Sequence, residues 1–328
     1  MSSPHAARLL ADIGGTNARF AWQAGPGAPI EDIRTLPCAS FPCIEAAIEA
    51  YLNQIDRPRP RIAAIAIANP VYGDEIRMTN HHWSFSIREL RRAMSWERLE
   101  VLNDFTALAL ALPTLSDSQR RLTGGGAPAP DSAIGLIGPG TGLGVSGLLP
   151  NGRGGWIPLQ GEGGHATLAA VTPKERIVVR ALQQRHQHVS AERAISGMGL
   201  EDIYAILCQT AHRQRNERMS AAQISQAALS GDALAKEALM MMCAFLGTVA
   251  GNLALTLGAR GGVYIGGGIV PKLGAWFDQS PFRERFESKG RFRAYLKDIP
   301  VWVITADQSP ALAGAAAQLD RLESFHRE

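Results

Sequence analysis

The stretch Leu9-Leu10-Ala11-Asp12-Ile13-Gly14-Gly15-Thr16-Asn17-Ala18-Arg19-Phe20 constrains this chain more than any other. An apolar run delivers a carboxylate, two glycines, a hydroxyl and an amide, and apolar alternation then resumes at Ala18, Phe20 and Trp22. This pattern predicts strand, tight turn, strand. Gly14 and Gly15 admit backbone conformations closed to other residues. Lacking Cβ atoms, they also let an oxygen-rich ligand approach the main chain. Successive amides in such a turn form a concavity for anions. Thr16 and Asn17 add side-chain donors, and Asp12 at the rim can hold a metal ion directly or through water. Together these features suit a nucleotide with Mg²⁺. An ordinary Gly-Gly hairpin turn satisfies the same pattern, and the stretch alone does not separate the two.

The rest of the chain narrows the class. Its 328 residues, at about 150 per domain, suggest two domains with room for a sizeable core. Apolar residues make up 46% and charged residues 19%, as in ordinary globular chains. The formal charge is +3 and the pI 8.8. The basic residues are scattered, so no nucleic-acid partner is implied. No apolar run reaches about 18 residues, so no membrane span and no membrane partner are expected. The first eight residues lack a signal peptide's apolar region. Cys38, Cys43, Cys208 and Cys243 show no CxxC spacing and sit among apolar residues. Reduced thiols and a cytoplasmic location are the expectation.

Taken in order, the chain alternates strand and helix signals, which argues for α/β architecture. Helical spacing over 42–54 is followed by the continuous apolar run Arg61 to Ala68, read as a strand buried on both faces. Ser86 with Glu89 predicts a capped helix through Met94. A short strand, Leu99 to Leu102, enters Asn103-Asp104 and then an Ala/Leu helix to Leu112. The Gly/Ala/Pro-rich segment 123–130 reads as an interdomain linker. A second strand–glycine turn–strand unit follows at 133–149, with Thr141 and Gly142 in its turn. Two turns of the same design can grip one polyphosphate from two sides. Helices are expected over 173–187, from Ser190 as a cap, and over 200–212, 221–229 and 232–257. The three methionines at 240–242 read as core filler. A strand ending in Gly266-Gly267-Gly268 then precedes a helix from Ile269. A last strand spans 300–305 and a last helix 311–322.

Common nucleotide motifs are absent. There is no Gly-Lys-Ser/Thr, no GxGxxG over 138–144 and no protein-kinase catalytic loop. What remains is a set of strands that each end in polar residues. The stretches ADIGGTNARFA, MTNHHWSFS, LNDFTALALALP, GPGTGLGV, GEGGHATLA, VSAERAISG, GNLALTLG, GGVYIGGGIVP and KGRF run from Leu9 to Pro310. In that order they closely resemble bacterial glucokinases of the proteobacterial type, which belong with actin, hexokinase and the seventy-kilodalton chaperones. The resemblance implies a two-lobed, actin/hexokinase-like (ribonuclease H-like) α/β ATPase fold with mixed sheets and a ligand cleft between the lobes. It implies a small domain of residues 1–115 plus 309–328, and a large one of 116–308 with helical insertions. The C-terminal helix is expected to pack back on the first lobe.

The same resemblance implies ATP-dependent phosphorylation of D-glucose, with Mg²⁺, in a homodimer. Asp104 becomes the catalytic base: a carboxylate that orients the sugar's 6-hydroxyl and takes its proton as it attacks the γ-phosphate. The bland alternative is that Asp104 only caps the following helix. Asn103, Asp104, Glu162, His165 and Glu192 resemble the sugar-binding set. Carboxylates accept, an amide does both and an imidazole does either, which matches a hexose's hydroxyls. His165 has the alternative of a satisfied buried histidine, or of a metal ligand with Glu162. Glu192 has that of a first-turn helix carboxylate. Ala11, Asp12, Ile13, Gly14, Gly15 and Thr16 would hold ATP's phosphates, with Thr141 and Gly142 opposite and Gly266, Gly267 and Gly268 near the adenosine. Some relatives carry Gly at the position of Ala11. Asp12 would reach Mg²⁺ through water. Asn80, Trp83 and Ser84 carry no derivable role, and Trp83 reads as packing. A kinase for another hexose and a sugar-sensing regulator are the rivals. The first, acting on mannose or an N-acetylated amino sugar, is disfavoured because repressor-related sugar kinases often carry a cysteine-rich zinc motif and this chain has none. The second would need a helix-turn-helix segment, for which the eight residues before Leu9 leave no room.

Overall fold

The computed structural model describes residues 6–78, 81–213, 218–306 and 310–325. Two compact units emerge: residues 1–116 with 306–328, and residues 117–305.

The first unit is built on a five-stranded sheet. The expected hairpin is β1 (Arg8–Ile13) and β2 (Asn17–Gln23). It is followed by β3 (Ile30–Pro37), α1 (Ile44–Leu52) and β4 (Ile62–Ile67). The short pair β5 (Glu75–Arg77) and β6 (Ser84–Ser86) leads to α2 (Ile87–Ala93), β7 (Arg98–Asn103) and α3 (Asp104–Ala111). The order is β3-β2-β1-β4-β7. The pairs β1–β4 and β4–β7 are parallel, and β1–β2 and β2–β3 antiparallel. β1 is buried on both faces: Leu9, Ala11 and Ile13 join one apolar cluster and Leu10 another. Ser86 caps α2 as expected, accepting from the Glu89 N–H. Trp83 is a core residue, fully buried and donating to the Phe41 carbonyl. Asn80 lies outside the described residues.

The second unit carries a six-stranded sheet, β11-β10-β9-β12-β13-β8. Its strands are β8 (Arg120–Leu122), β9 (Ile134–Pro139), β10 (Leu143–Pro150), β11 (Trp156–Gln160), β12 (Val263–Ile265) and β13 (Val301–Ile304). Between β11 and β12 run α4 (Pro173–Gln183), α5 (Gly197–Thr210), α6 (Ala221–Leu229) and α7 (Ala233–Leu257). Three shorter helices, α8 (Val270–Leu273), α9 (Phe282–Glu287) and α10 (Arg293–Lys297), precede β13. Segment 123–130 is not a linker between the units. Its amides bond within the second unit, Thr123 to Val301, Gly126 to Asp298 and Ala129 to Arg260. Helix α7 is long and apolar enough, by length and composition alone, to cross a membrane. Within the unit, 72% of its most apolar window is buried, so it serves as a core helix. Asp232 caps it, and Gly258 closes it with φ +62° in the left-handed region, as glycine permits without strain. All four cysteines are free.

The chain returns to the first unit as α11 (Ala311–Phe325). Leu312, Ala315, Ala316 and Leu319 pack with Leu10, Ala21 and Ala64 on the sheet. Fully buried Arg8 reaches Asp320 and Glu323 at 2.5 Å each and Gln23 at 3.3 Å. Helices α11 and α3 cross closely at Gly314, where an added Cβ would stand 1.7 Å from the Ala107 carbonyl oxygen. Helix propensity alone would favour Gly314→Ala by ~1 kcal/mol. The overlap reverses the sign, with a cost of about 1–3 kcal/mol or more as the helices separate. A denaturation midpoint of Gly314→Ala at or above wild type would contradict this packing account.

Candidate active site

The polar pair after β7 takes its geometry from the helix that follows. The helix cap is Asn103, not Asp104: the Asn103 side-chain oxygen accepts from the Phe105 and Thr106 N–H groups at 2.9 and 3.3 Å. Its amide nitrogen donates to the Asn69 carbonyl at 3.4 Å. Asp104 therefore occupies the first helical position, and its Oδ1 accepts from the Phe105 N–H at 2.9 Å. Burial pushes its carboxyl up to about 6, and the nearby Asp12 carboxylate adds to the rise, while the Phe105 and Asn103 hydrogen bonds oppose it. A carboxylate so placed is ionised at neutral pH yet keeps real proton affinity, as a general base requires.

The β1–β2 turn forms a pocket of about 300 Å³ lined by Asp12, Gly14, Gly15, Thr16, Asn17 and Arg19. The Gly14 N–H closes the turn on the Asn17 carbonyl at 2.9 Å. Cys38 holds it from behind: its N–H donates to the Thr16 carbonyl at 2.9 Å, and its thiol to that of Gly14 at 3.6 Å. Neither Gly14 nor Gly15 has a positive φ. A Cβ on Gly14 would make only ordinary contact, 3.7 Å from the Asn17 oxygen. The backbone freedom expected of this glycine pair is thus not what the turn uses; at Gly14 the missing side chain leaves the pocket floor bare. Ala11 and Ile13 are fully buried strand residues and do not line the pocket. Asp12 meets Arg19, its cross-strand partner, at 3.0 Å. Sequence reasoning missed Arg19. The signal was available, since the two residues flank the turn at facing strand positions.

In the second unit, the remaining glycine-rich motifs form a connected cluster. The Gly140 N–H bonds the Gly142 carbonyl, and the Gly197 N–H bonds that of Gly140, at 2.8 and 2.9 Å. Glu192 accepts the Leu143 N–H at 2.9 Å through Oε2. It lies in a three-residue 3-10 turn that Ser190 does not cap through its side chain, contrary to expectation. Glu162 and His165 sit at the two ends of a tight turn, joined by the His165 N–H and Glu162 carbonyl at 3.0 Å. Both are exposed, so the buried-histidine alternative does not hold. Among the described residues no cluster of three metal-ligating side chains occurs. Gly164 has no room for a side chain, since a Cβ would lie 2.0 Å from the Leu143 carbonyl oxygen. The Ala191 N–H donates to the Ala166 carbonyl at 2.8 Å, tying the Glu162–His165 turn to the Glu192 turn. Gly267 has φ +78°, and a Cβ there would stand 2.3 Å from the Pro139 carbonyl oxygen. This brings Gly266–Gly268 against the start of the Thr141–Gly142 turn. The structure therefore gathers Asp12 and Asp104 in one unit, and Thr141, Gly142, Glu162, His165, Glu192 and Gly266–Gly268 in the other.

Comparison with known proteins places this arrangement. The family model described as Glucokinase matches residues 9–322. The chain belongs to the glucokinase family. A glucokinase of Chromobacterium violaceum is 55% identical over 313 residues, covering 95% of this chain and 89% of that protein. A protein of Burkholderia pseudomallei named bifunctional protein glk is 54% identical over 312 residues, 95% of this chain. The chain spans about half that relative's length, 48%. Among solved structures, a glucokinase from an Antarctic psychrotroph superposes with a TM-score of 0.87 at 37% identity, covering 96% of this chain and 99% of that one. The α/β fold of two mixed-sheet units is accordingly that of the actin-like sugar kinases.

The raised Asp104 carboxyl has a stability signature. Its proton is held more tightly in the folded protein, near 6, than at the ordinary value of 3.8. The stabilisation from that proton is complete below about pH 4 and is lost as pH rises through about 6. Asp104→Asn should therefore gain in melting temperature over wild type between pH 4 and 6 and keep the gain above. A melting-temperature difference independent of pH across this range would contradict the burial of the charge.

Proposed function

We propose that this protein is an ATP-dependent glucokinase, converting ATP and D-glucose to ADP and D-glucose 6-phosphate. Membership of the glucokinase family supports it. The observation that carries it is Asp104, a carboxyl fixed at a helix start with its proton affinity raised towards neutrality. In this reading Asp104 accepts the proton of the 6-hydroxyl while that oxygen attacks the γ-phosphorus in line. The bond to the β,γ-bridging oxygen breaks, and ADP leaves without a covalent enzyme intermediate. Because phosphoryl transfer depends chiefly on positioning and charge neutralisation, the remaining residues act as holders. Glu162, His165, Glu192 and Asn103 serve the sugar hydroxyls. The oxygen of Asn103 is taken by its helix cap and one amide hydrogen by the Asn69 carbonyl, so its second amide hydrogen is the group left to serve a ligand.

The Gly14–Asn17 turn with Arg19, and the Thr141–Gly142 turn, would hold the phosphates; Gly266–Gly268 would lie by the adenosine. Mg²⁺ fits as a partner of the nucleotide. The first pocket offers one carboxylate, Asp12, already paired with Arg19. One such group suits contact through water, with phosphate oxygens completing the shell. When bound, the ion would neutralise charge on the phosphates. A cytoplasmic homodimer is part of the same proposal, in keeping with the free thiols.

The test is a coupled assay of glucose 6-phosphate with ATP and Mg²⁺, with mannose, fructose and N-acetylglucosamine as alternative acceptors. Glucose should be the preferred acceptor, and Asp104→Ala should lower kcat by ~10²–10⁴. Near-normal kcat in that variant would remove Asp104 as the base, and turnover of another sugar in preference would change the substrate. In the wild type, kcat/KM for glucose should rise with pH up to an inflection near 6 and level off above it. A profile flat down to pH 5 would show that no group with Asp104's raised pKa gates the reaction.

A further inference from the structure

The bond from the Leu143 N–H to Glu192 joins two motifs that the resemblance assigns to different substrates. Thr141 and Gly142 belong to the nucleotide side and Glu192 to the sugar side. Glu192 Oε2 accepts the Leu143 N–H at 2.9 Å. Gly142 is shaped around it: a Cβ there would stand 2.4 Å from the same Oε2. Glu192 is itself anchored, because its carbonyl accepts the Ser196 hydroxyl at 2.8 Å and the next residue, Gly197, donates to the Gly140 carbonyl at 2.9 Å. The turn is thus gripped at Gly140 and at Leu143 by one segment, residues 192–197. The other carboxylate oxygen, Oε1, takes no hydrogen bond from any described residue, and the side chain is only partly buried. A charged acceptor on a backbone N–H makes one of the stronger hydrogen bonds in a protein.

We infer that Glu192 is a positioning residue for the nucleotide turn: Oε2 fixes the backbone of Thr141-Gly142-Leu143 for phosphate binding, while Oε1 remains for a sugar hydroxyl. This rests on the proposed kinase function and adds a duty to a residue otherwise read as a sugar ligand alone. A sugar ligand without that duty would affect the glucose KM and leave nucleotide affinity untouched.

The experiment is calorimetric titration of the full chain with ATP and Mg²⁺ in the absence of any sugar. Glu192→Ala should weaken ATP binding about tenfold, the usual consequence of losing one charge-assisted bond. Glu192→Gln keeps an oxygen that can accept the Leu143 N–H and should bind ATP nearly as wild type does, while its glucose KM rises. Gly142→Ala, whose Cβ displaces the carboxylate, should also weaken ATP. In a Glu192→Ala background the same substitution should cost little more, a non-additive cycle that marks direct coupling. Thermal melts check folding; if Glu192→Ala is too unstable, Glu192→Asp, one methylene too short to reach Leu143, takes its place. ATP affinity unchanged in Glu192→Ala, or fully additive losses in the cycle, would overturn the inference while wild-type kinase activity stood. A wild type that binds no ATP would overturn the kinase proposal as well.

Discussion

Three parallel strands in register place the polar chemistry of the first unit. Ile13 of β1 pairs with Ile67 of β4, and Ile67 with Asn103 of β7. The three strands end in one row, so whatever follows each emerges at the same edge of the sheet. Asp12 with its glycine turn, Asn69 and Asn103-Asp104 are those followers or near neighbours. Open α/β sheets bind ligands outside the carboxyl ends of their strands for this reason. A one-residue slip of β7 against β4 would turn Asn103 to the other face and break the alignment of the Asn103 cap, the Asp104 carboxyl and the glycine turn together. The apolar residues inside β1 and β4, buried on both faces, are what make such a slip unfavourable.

Much of this was legible because burial writes itself into periodicity. β4 is an unbroken apolar run, and α7 has a clear cap at Asp232 and stop at Gly258. Both glycine hairpins were visible as apolar runs broken by turn residues. What was not legible was mostly exposed or irregular. β3 is half-exposed, with Glu31, Asp32 and Arg34 in its sequence, and β11 is likewise largely open and contains a proline. Neither shows the alternation that marks a half-buried strand. The short helices between α8 and β13 are only a turn or two long, too brief for a 3.6-residue period. Segment 123–130 has the composition of a linker, yet its backbone bonds are met by strand and loop partners distant in sequence.

The site shows the same division. Which residue types cluster could be read from motifs; which hydrogen bonds they make could not. Asn103 was assigned to a ligand, yet its oxygen serves the helix. Asp104 had a cap as its bland alternative, and Asn103 holds that role instead. Glu192 had the alternative of a mere first-turn carboxylate, and its bond runs to a strand far back in the chain. Backbone amides such as that of Leu143 carry no side-chain signature, so contacts to them stay invisible until the chain is folded. Arg19 is the opposite case, since its pairing with Asp12 follows from hairpin register alone.

The close crossing of α3 and α11 also bears on how the molecule is made. The second unit is one continuous stretch, whereas the first draws its last helix from beyond it. On a ribosome, the sheet bearing Asp12 and Asp104 emerges early with one face uncovered. It stays uncovered until Leu312, Ala315 and Leu319 arrive and Arg8 meets Asp320 and Glu323. Long-range closure of this kind is slow and leaves apolar surface exposed in the interval. The helix that covers the carboxylate-bearing unit is thus made only after every element of the second unit.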